Sequence, residues 1–382
     1  MTQVAVPRPA VPDTDEFTVG TEHWHKLDDG RIECTVCPRH CRLREGQRGF
    51  CFVRARQDDQ IVLTSYGRSS GFCIDPIEKK PLNHFIPGTP VLSFGTAGCN
   101  LGCRFCQNWD ISKSREIDTL TSSAFPRDLA STARELDCAS LAFTYNDPTI
   151  FTEYAHDTSR AAHDLGLKSV VVSAGYIEPG AREELYRHAD AANIDLKGFT
   201  EHFYKKIAFG NLRTVLDTLE YLVHETDVWT EITTLLIPDH NDGDEEIREE
   251  SRWIRDNLGP DVPLHFTAFH PDFKMMDVPP TPPSTLRRAR DIALGEGLNF
   301  VYTGNVHDVE GQTTYCPSCG TAVIVRDWYR ILAYELEPGG DCRHCGHTLP
   351  GRFDPPAGFD LPGTWGQRRR PVRISAAPTD RA

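Results

Sequence analysis

The chain has 382 residues, 39% of them hydrophobic and 25% charged, a balance that excludes wholesale disorder, and it holds no run near the ~20 apolar residues a membrane span needs. Its 41 Lys and Arg against 55 Asp and Glu leave a formal charge of −14, which repels polyphosphate and argues against a nucleic-acid partner. Met1 to Gly20 carries prolines and acids where an export signal would carry a basic start and an apolar core, so a cytoplasmic protein with no membrane partner is expected.

In chain order, residues 1–20 read as a disordered, proline-punctuated leader. Residues 21–70 form a small unit bearing Cys34, Cys37, Cys41 and Cys51, broken into turns at Gly46 and Gly49. From about residue 90, short apolar runs alternate with amphipathic stretches. Strands are expected at 91–95, 141–145, 169–173, 192–196, 230–237, 264–269 and 300–303. Helical patterns lie between them at 127–136, 151–165, 181–188, 245–257 and 285–295. Such alternation makes parallel βα units, and six or seven of them favour a complete or partial barrel, placed here over 71–305. A third small unit, 306–355, precedes a flexible tail, 356–382, whose Arg368, Arg369, Arg370 and Arg373 form the one basic cluster found.

Thirteen cysteines are many for a chain without an export signal, and eleven fall into three tight groups. That clumping points to thiolate ligation of metal in a reducing compartment, while Cys73 and Cys138, standing alone, read as small buried apolar residues. In the central group the first strand runs into Gly98-Cys99-Asn100-Leu101-Gly102-Cys103-Arg104-Phe105-Cys106. Three thiolates leave one iron of a four-iron cube without a protein ligand, an open site of the kind catalysis needs. The alternative is zinc with a fourth ligand elsewhere in the chain. Near the C-terminus, Cys316-x2-Cys319 and Cys342-x2-Cys345 make two knuckles, a closed four-thiolate site for zinc or a single iron. The N-terminal set, Cys34, Cys37, Cys41 and Cys51, fits zinc or an auxiliary iron–sulfur cluster.

The central motif resembles that of the radical S-adenosylmethionine (SAM) enzymes, in particular the branch of the pyruvate formate-lyase activating enzymes. Four further segments, Asp75-Pro-Ile-Glu-Lys-Lys-Pro-Leu82, Cys106-Gln-Asn-Trp109, Tyr145-Asn-Asp-Pro-Thr149 and Tyr302-Thr-Gly-Asn305, resemble the AmmeMemoRadiSam system radical SAM enzymes. The resemblance spans about residues 30–352 and implies a partial (β/α)6 barrel with small cysteine-rich units at both ends. It implies a 4Fe–4S cluster on Cys99, Cys103 and Cys106 that binds SAM at the open iron. Reductive cleavage of the sulfonium then gives methionine and a 5′-deoxyadenosyl radical that abstracts a substrate hydrogen. By the same resemblance Phe105 lies near the adenine, and Tyr145, Asn146 and Asp147 stand where the family holds the SAM ammonium. Asp147 is one methylene shorter than the family's usual Glu. The resemblance further implies that Asp195 and Lys197 line the SAM site and that His270 sits near the adenine, while Ser173, after the third strand, is placed to contact SAM through its hydroxyl or backbone.

Two classes of function follow. One is an enzyme that makes an organic radical from SAM, either to install a glycyl radical in a protein or to modify a peptide or small molecule. It would draw electrons from a reductant such as ferredoxin or flavodoxin, and the resemblance points to companion proteins of the Memo and AMMECR kinds. The other is a metal scaffold for electron transfer or partner binding without turnover, for which a missing cluster ligand has no use.

Overall fold

The computed structural model describes residues 15–114, 120, 122–359 and 370–374. All seven expected strands form, as Pro90–Phe94, Ser140–Phe143, Lys168–Ser173, Ala191–Asp195, Trp229–Leu236, Leu264–Ala268 and Val301–Gly304. Each pairs in parallel with the next in sequence. Parallel neighbours need a crossover, and six helices supply the crossovers: Pro126–Glu135, Thr152–Asp164, Pro179–Tyr186, Leu212–Glu225, Asp244–Asn257 and Pro283–Gly295. Prolines open three of these helices in their first turn, where no N–H is needed. Helix Leu212–Glu225, absent from the sequence-based expectations, buries Leu212, Val215, Leu216, Leu219 and Leu222, one full helical stripe. Asn211 caps it by accepting the Thr214 N–H at 3.0 Å.

The expected partial barrel forms, and its sheet is extended at one edge. The sheet has seven parallel strands, because Val301–Gly304 adds to the row. Beyond Pro90–Phe94, strand Phe72–Pro76 pairs antiparallel, and Arg370–Val372 pairs antiparallel with that. The nine-stranded order has two free ends, so the barrel is partial. Part of the tail expected to be flexible is therefore an edge strand. The leader boundary also moves, since Val19–Gly20 pairs with Gln60–Leu63. Arg368 and Arg369 lie outside the described residues.

The flanking units share cores with the barrel. The N-terminal unit is pinned by Arg54, whose guanidinium makes a two-pronged ion pair with Glu153 at 2.7 and 2.6 Å, both side chains fully buried, and also donates to the Ile150 carbonyl. At the other end, Phe300 and Tyr302 of the barrel pack in one apolar cluster with Cys316, Val323, Ile324 and Leu336. There Arg326 donates to the Asn83 carbonyl at 2.7 Å and to Thr314 at 2.8 Å, and Tyr302 bridges His84 and Thr314. Among the described residues no helix is long and apolar enough to cross a membrane.

Candidate active site

The site lies where the parallel strands end, the edge at which loops carry chemistry in βα folds. Strand Pro90–Phe94 leads into the cysteine loop through Gly98, which has φ +85°. A Cβ there would collide with the Cys51 carbonyl oxygen, so glycine is required on two counts. Asn146 holds the approach to the loop: its amide nitrogen donates to the Gly98 carbonyl at 2.8 Å and its oxygen accepts the Thr96 N–H at 3.1 Å. From the other side the π-turn Tyr204–Ala208 clasps the loop, with Gly102 and Arg104 N–H groups donating to the Ala208 and Ile207 carbonyls at 3.0 Å. No periodicity announces a π-turn, so this support was invisible in the sequence.

Cys99, Cys103 and Cys106 open onto a cavity of about 530 Å³. Phe105, Tyr145, Asn146, Asp147, Ser173, Asp195 and Lys197 line the same cavity, which brings together every expected cofactor residue except His270. His270 is exposed, with its ring turned to the Pro271 carbonyl at 3.5 Å, and is not among the lining residues. Phe105 is 4% exposed and packs its ring 5.9 Å from that of Phe203.

Asp147 has its carboxylate engaged on both oxygens. One accepts from the Thr149 N–H at 3.0 Å and the Ser173 hydroxyl at 2.9 Å, and the other accepts the Ala174 N–H at 2.9 Å. Ser173 in turn accepts the Gly175 N–H at 3.0 Å. Asp147 thus organises the turn after the third strand, and its short side chain suits that distance. Asp195 and Lys197 fall on one face, as strand alternation requires, and their Nζ and Oδ2 atoms are 2.7 Å apart. Burial works against charge on Lys197, yet the Asp195 carboxylate beside it holds its pKa above the ordinary lysine value. Burial pushes the Cys99 thiol up to about 12, with Asp147 adding to the effect, and the Cys103 thiol to about 11 against the pull of Lys197.

Residues quoted above for resemblance alone acquire places here. Lys79, Lys80 and Asn305 line the cavity, and so does Tyr329 from the tip of the C-terminal hairpin Ala322–Asp327 and Arg330–Tyr334. Lys80 is buried, which lowers its pKa to about 8 despite the Asp75 carboxylate at 2.7 Å. Asp75 also takes Lys79 at 2.8 Å and the Tyr145 hydroxyl at 2.7 Å. Two buried lining atoms, Thr233 Oγ1 and Gln107 Nε2, have no hydrogen-bond partner among the described residues. Three thiols converging from one loop, a lysine and two carboxylates, and two unspent polar atoms fit a cluster with a polar, zwitterionic ligand beside it.

The C-terminal cysteines form a different centre. The Cys316 and Cys345 sulfurs are 3.6 Å apart and those of Cys319 and Cys342 are 3.9 Å apart. Bonds of about 2.3 Å to one tetrahedral metal put sulfurs roughly 3.8 Å apart. Gly320 and Gly346, with φ of +72° and +73°, let each knuckle curl back. Burial raises the Cys316 thiol to about 11, whereas hydrogen bonds from Thr321 lower Cys319 to about 6.

Residues 94–250 match the family model described as "Radical SAM superfamily". The chain is 40% identical over 328 residues to the uncharacterized protein MJ0808 of Methanocaldococcus jannaschii, covering 85% of this chain and 97% of that one. Among solved structures, a radical SAM methyltransferase from Sphaerobacter thermophilus aligns with a TM-score of 0.47 and 15% identity, over 80% of each chain. A domain of the pyruvate-formate lyase-activating enzyme from Bacteroides vulgatus aligns with a TM-score of 0.38 and 16% identity, over 43% of this chain and 98% of its own.

Proposed function

We propose that this chain, whose residues 94–250 match the radical SAM superfamily model, is an enzyme using SAM to draw a hydrogen atom from a protein, peptide or small-molecule substrate. The observation that carries this reading is the three-thiol loop opening into one cavity with Asp147, Asp195 and Lys197. When bound, a 4Fe–4S cluster supplies the electron that splits SAM into methionine and a 5′-deoxyadenosyl radical.

The rest is the work of this chain's residues. Cys99, Cys103 and Cys106 would hold that cluster through three thiolates. Lys197 carries a positive charge toward the SAM carboxylate, and Asp195 keeps that ammonium charged and in place. Asp147 fixes the turn at Ser173–Gly175, of which Ser173 and Ala174 line the cavity. Phe105 closes the adenine side. Lys79, Lys80 and Tyr329 stand at the wall left for substrate. The C-terminal quartet would take one zinc or iron ion, which would keep the hairpin carrying Tyr329 folded. A ferredoxin- or flavodoxin-like donor provides the electron, and proteins of the Memo and AMMECR kinds are the companions to test.

Within this reading, activation of a partner protein by a glycyl radical is one outcome and modification of a smaller substrate the other. The test is anaerobic incubation of reduced enzyme with SAM and each companion, followed by electron paramagnetic resonance and mass spectrometry. A persistent carbon radical on a companion supports the activase role, whereas a mass change in a peptide or small molecule supports the alternative. SAM consumption without any change in either leaves both substrates wrong.

A further inference from the structure

The four N-terminal cysteines take no part in the site described above, yet they are gathered. Cys34, Cys37, Cys41 and Cys51 line one pocket together with Gly49 and Ile150, three of them buried, and none is in a disulfide. The backbone is tied for that purpose: the Cys34 N–H donates to the Cys41 carbonyl at 3.0 Å, His40 to Cys37 at 3.2 Å, and Phe52 to Gly49 at 3.0 Å. The Phe50 N–H points at the Cys41 sulfur at 3.4 Å, the contact a thiolate ligand accepts.

Spacing tells the metal centres apart. Among the described residues, the C-terminal quartet is the one set of three or more potential ligands whose donor atoms all lie within 4.8 Å of one another. That compactness suits a single ion. The N-terminal four do not meet it, and neither do Cys99, Cys103 and Cys106, whose motif is that of a four-iron cluster. A cube with a different iron behind each sulfur holds its thiolates further apart than one ion does. The N-terminal set, like the central one, falls outside that limit. It also lies against the central set: the Cys51 carbonyl packs on Gly98, and the Arg39 guanidinium donates to the Asn100 carbonyl at 2.8 Å, so both neighbours of Cys99 are held by this unit.

We propose that Cys34, Cys37, Cys41 and Cys51 bind a second iron–sulfur cluster, of the four-iron kind, beside the loop that carries Cys99. Its place as a neighbour of a first cluster rests on the radical SAM reading; its ligands do not. With four thiolates it has no open iron, which suits electron transfer. Reduced, it would give one electron to the oxidised central cluster, become oxidised itself, and be refilled by the one-electron protein donor.

The test uses the full chain, reconstituted anaerobically with ferrous iron and sulfide and assayed for iron, zinc and acid-labile sulfide. The unaltered protein is expected to hold about eight iron and eight sulfide in clusters. The triple variant Cys99→Ala, Cys103→Ala, Cys106→Ala should retain about four of each and show the signal of a reduced cluster after dithionite. Loss of all sulfide from the triple variant, with two zinc ions per chain, overturns the proposal while leaving the radical SAM reading intact. If the triple variant does not fold, about four rather than eight sulfide in the unaltered chain overturns it equally, and none at all overturns both readings.

Discussion

Asp147 offers a prediction whose size can be worked from its contacts. Its two oxygens accept three hydrogen bonds, from Thr149 N–H, the Ser173 hydroxyl and Ala174 N–H. Asp147→Asn preserves the shape but leaves one accepting oxygen. If that oxygen faces Thr149 and Ser173, the new amide group meets the Ala174 N–H head-on; if it turns, it meets the Thr149 N–H. Either way one buried N–H is orphaned, at about 1–3 kcal/mol. Because the affected turn faces the cavity, that energy should appear as SAM binding weakened about 5- to 150-fold, with cluster iron unchanged. Anaerobic equilibrium dialysis with labelled SAM, beside iron analysis, measures both. Unchanged affinity, or iron lost in parallel, would refute the assignment of Asp147 to the turn. Asp147→Glu tests the same geometry in reverse, since one methylene more drives the carboxylate into Ser173 and Ala174. It should weaken binding too, and a gain would mean that the carboxylate reaches SAM directly.

Lys197→Met keeps the stem but removes the charge paired with Asp195; because Asp195 is partly exposed, the cost is about 1–2 kcal/mol, read as a higher SAM Kd with full iron content. Equal loss of iron would assign the pair to the fold instead. Burial, opposed by the Glu231 carboxylate, lowers the pKa of His84 to about 4. Between pH 6.5 and 4 the unfolded histidine binds a proton that the folded one does not, so stability falls by up to about 3 kcal/mol as pH drops through that window. Denaturant midpoints that stay flat across it would contradict this burial. Cys316→Ser should release one metal ion and expose residues 313–350 to proteolysis while iron at Cys99, Cys103 and Cys106 remains. Disappearance of that iron would show that the barrel depends on the C-terminal unit for more than the wall at Tyr329.

The strands were legible because parallel strands buried on both faces read as uninterrupted apolar runs such as Val170-Val171-Val172. Cysteine spacing marked the three cysteine groups for a similar reason: loops that wrap a metal need ligands a few residues apart. What stayed hidden was tertiary. The stripe of Leu212–Glu225 was present in the sequence and was missed, although the parallel strands on either side of it need a crossover. Edge pairing by Arg370–Val372 depends on where a distant segment ends up, and composition marked it as tail. Asn146 and Asp147 were found as site residues, but their partners at Gly98, Thr96, Ser173 and Ala174 show them shaping loops. Tyr329 reaches the cavity only because the C-terminal unit packs on the last strand, a contact that no local pattern encodes.

The central claim is that Cys99, Cys103 and Cys106 support reductive cleavage of SAM. It is tested most directly by incubating anaerobically reconstituted protein with SAM and dithionite and quantifying 5′-deoxyadenosine and methionine by mass spectrometry. The account predicts slow formation of both without added substrate, abolished when any one of the three cysteines is replaced by alanine. A fully iron-loaded chain that binds no SAM and forms no 5′-deoxyadenosine would contradict it.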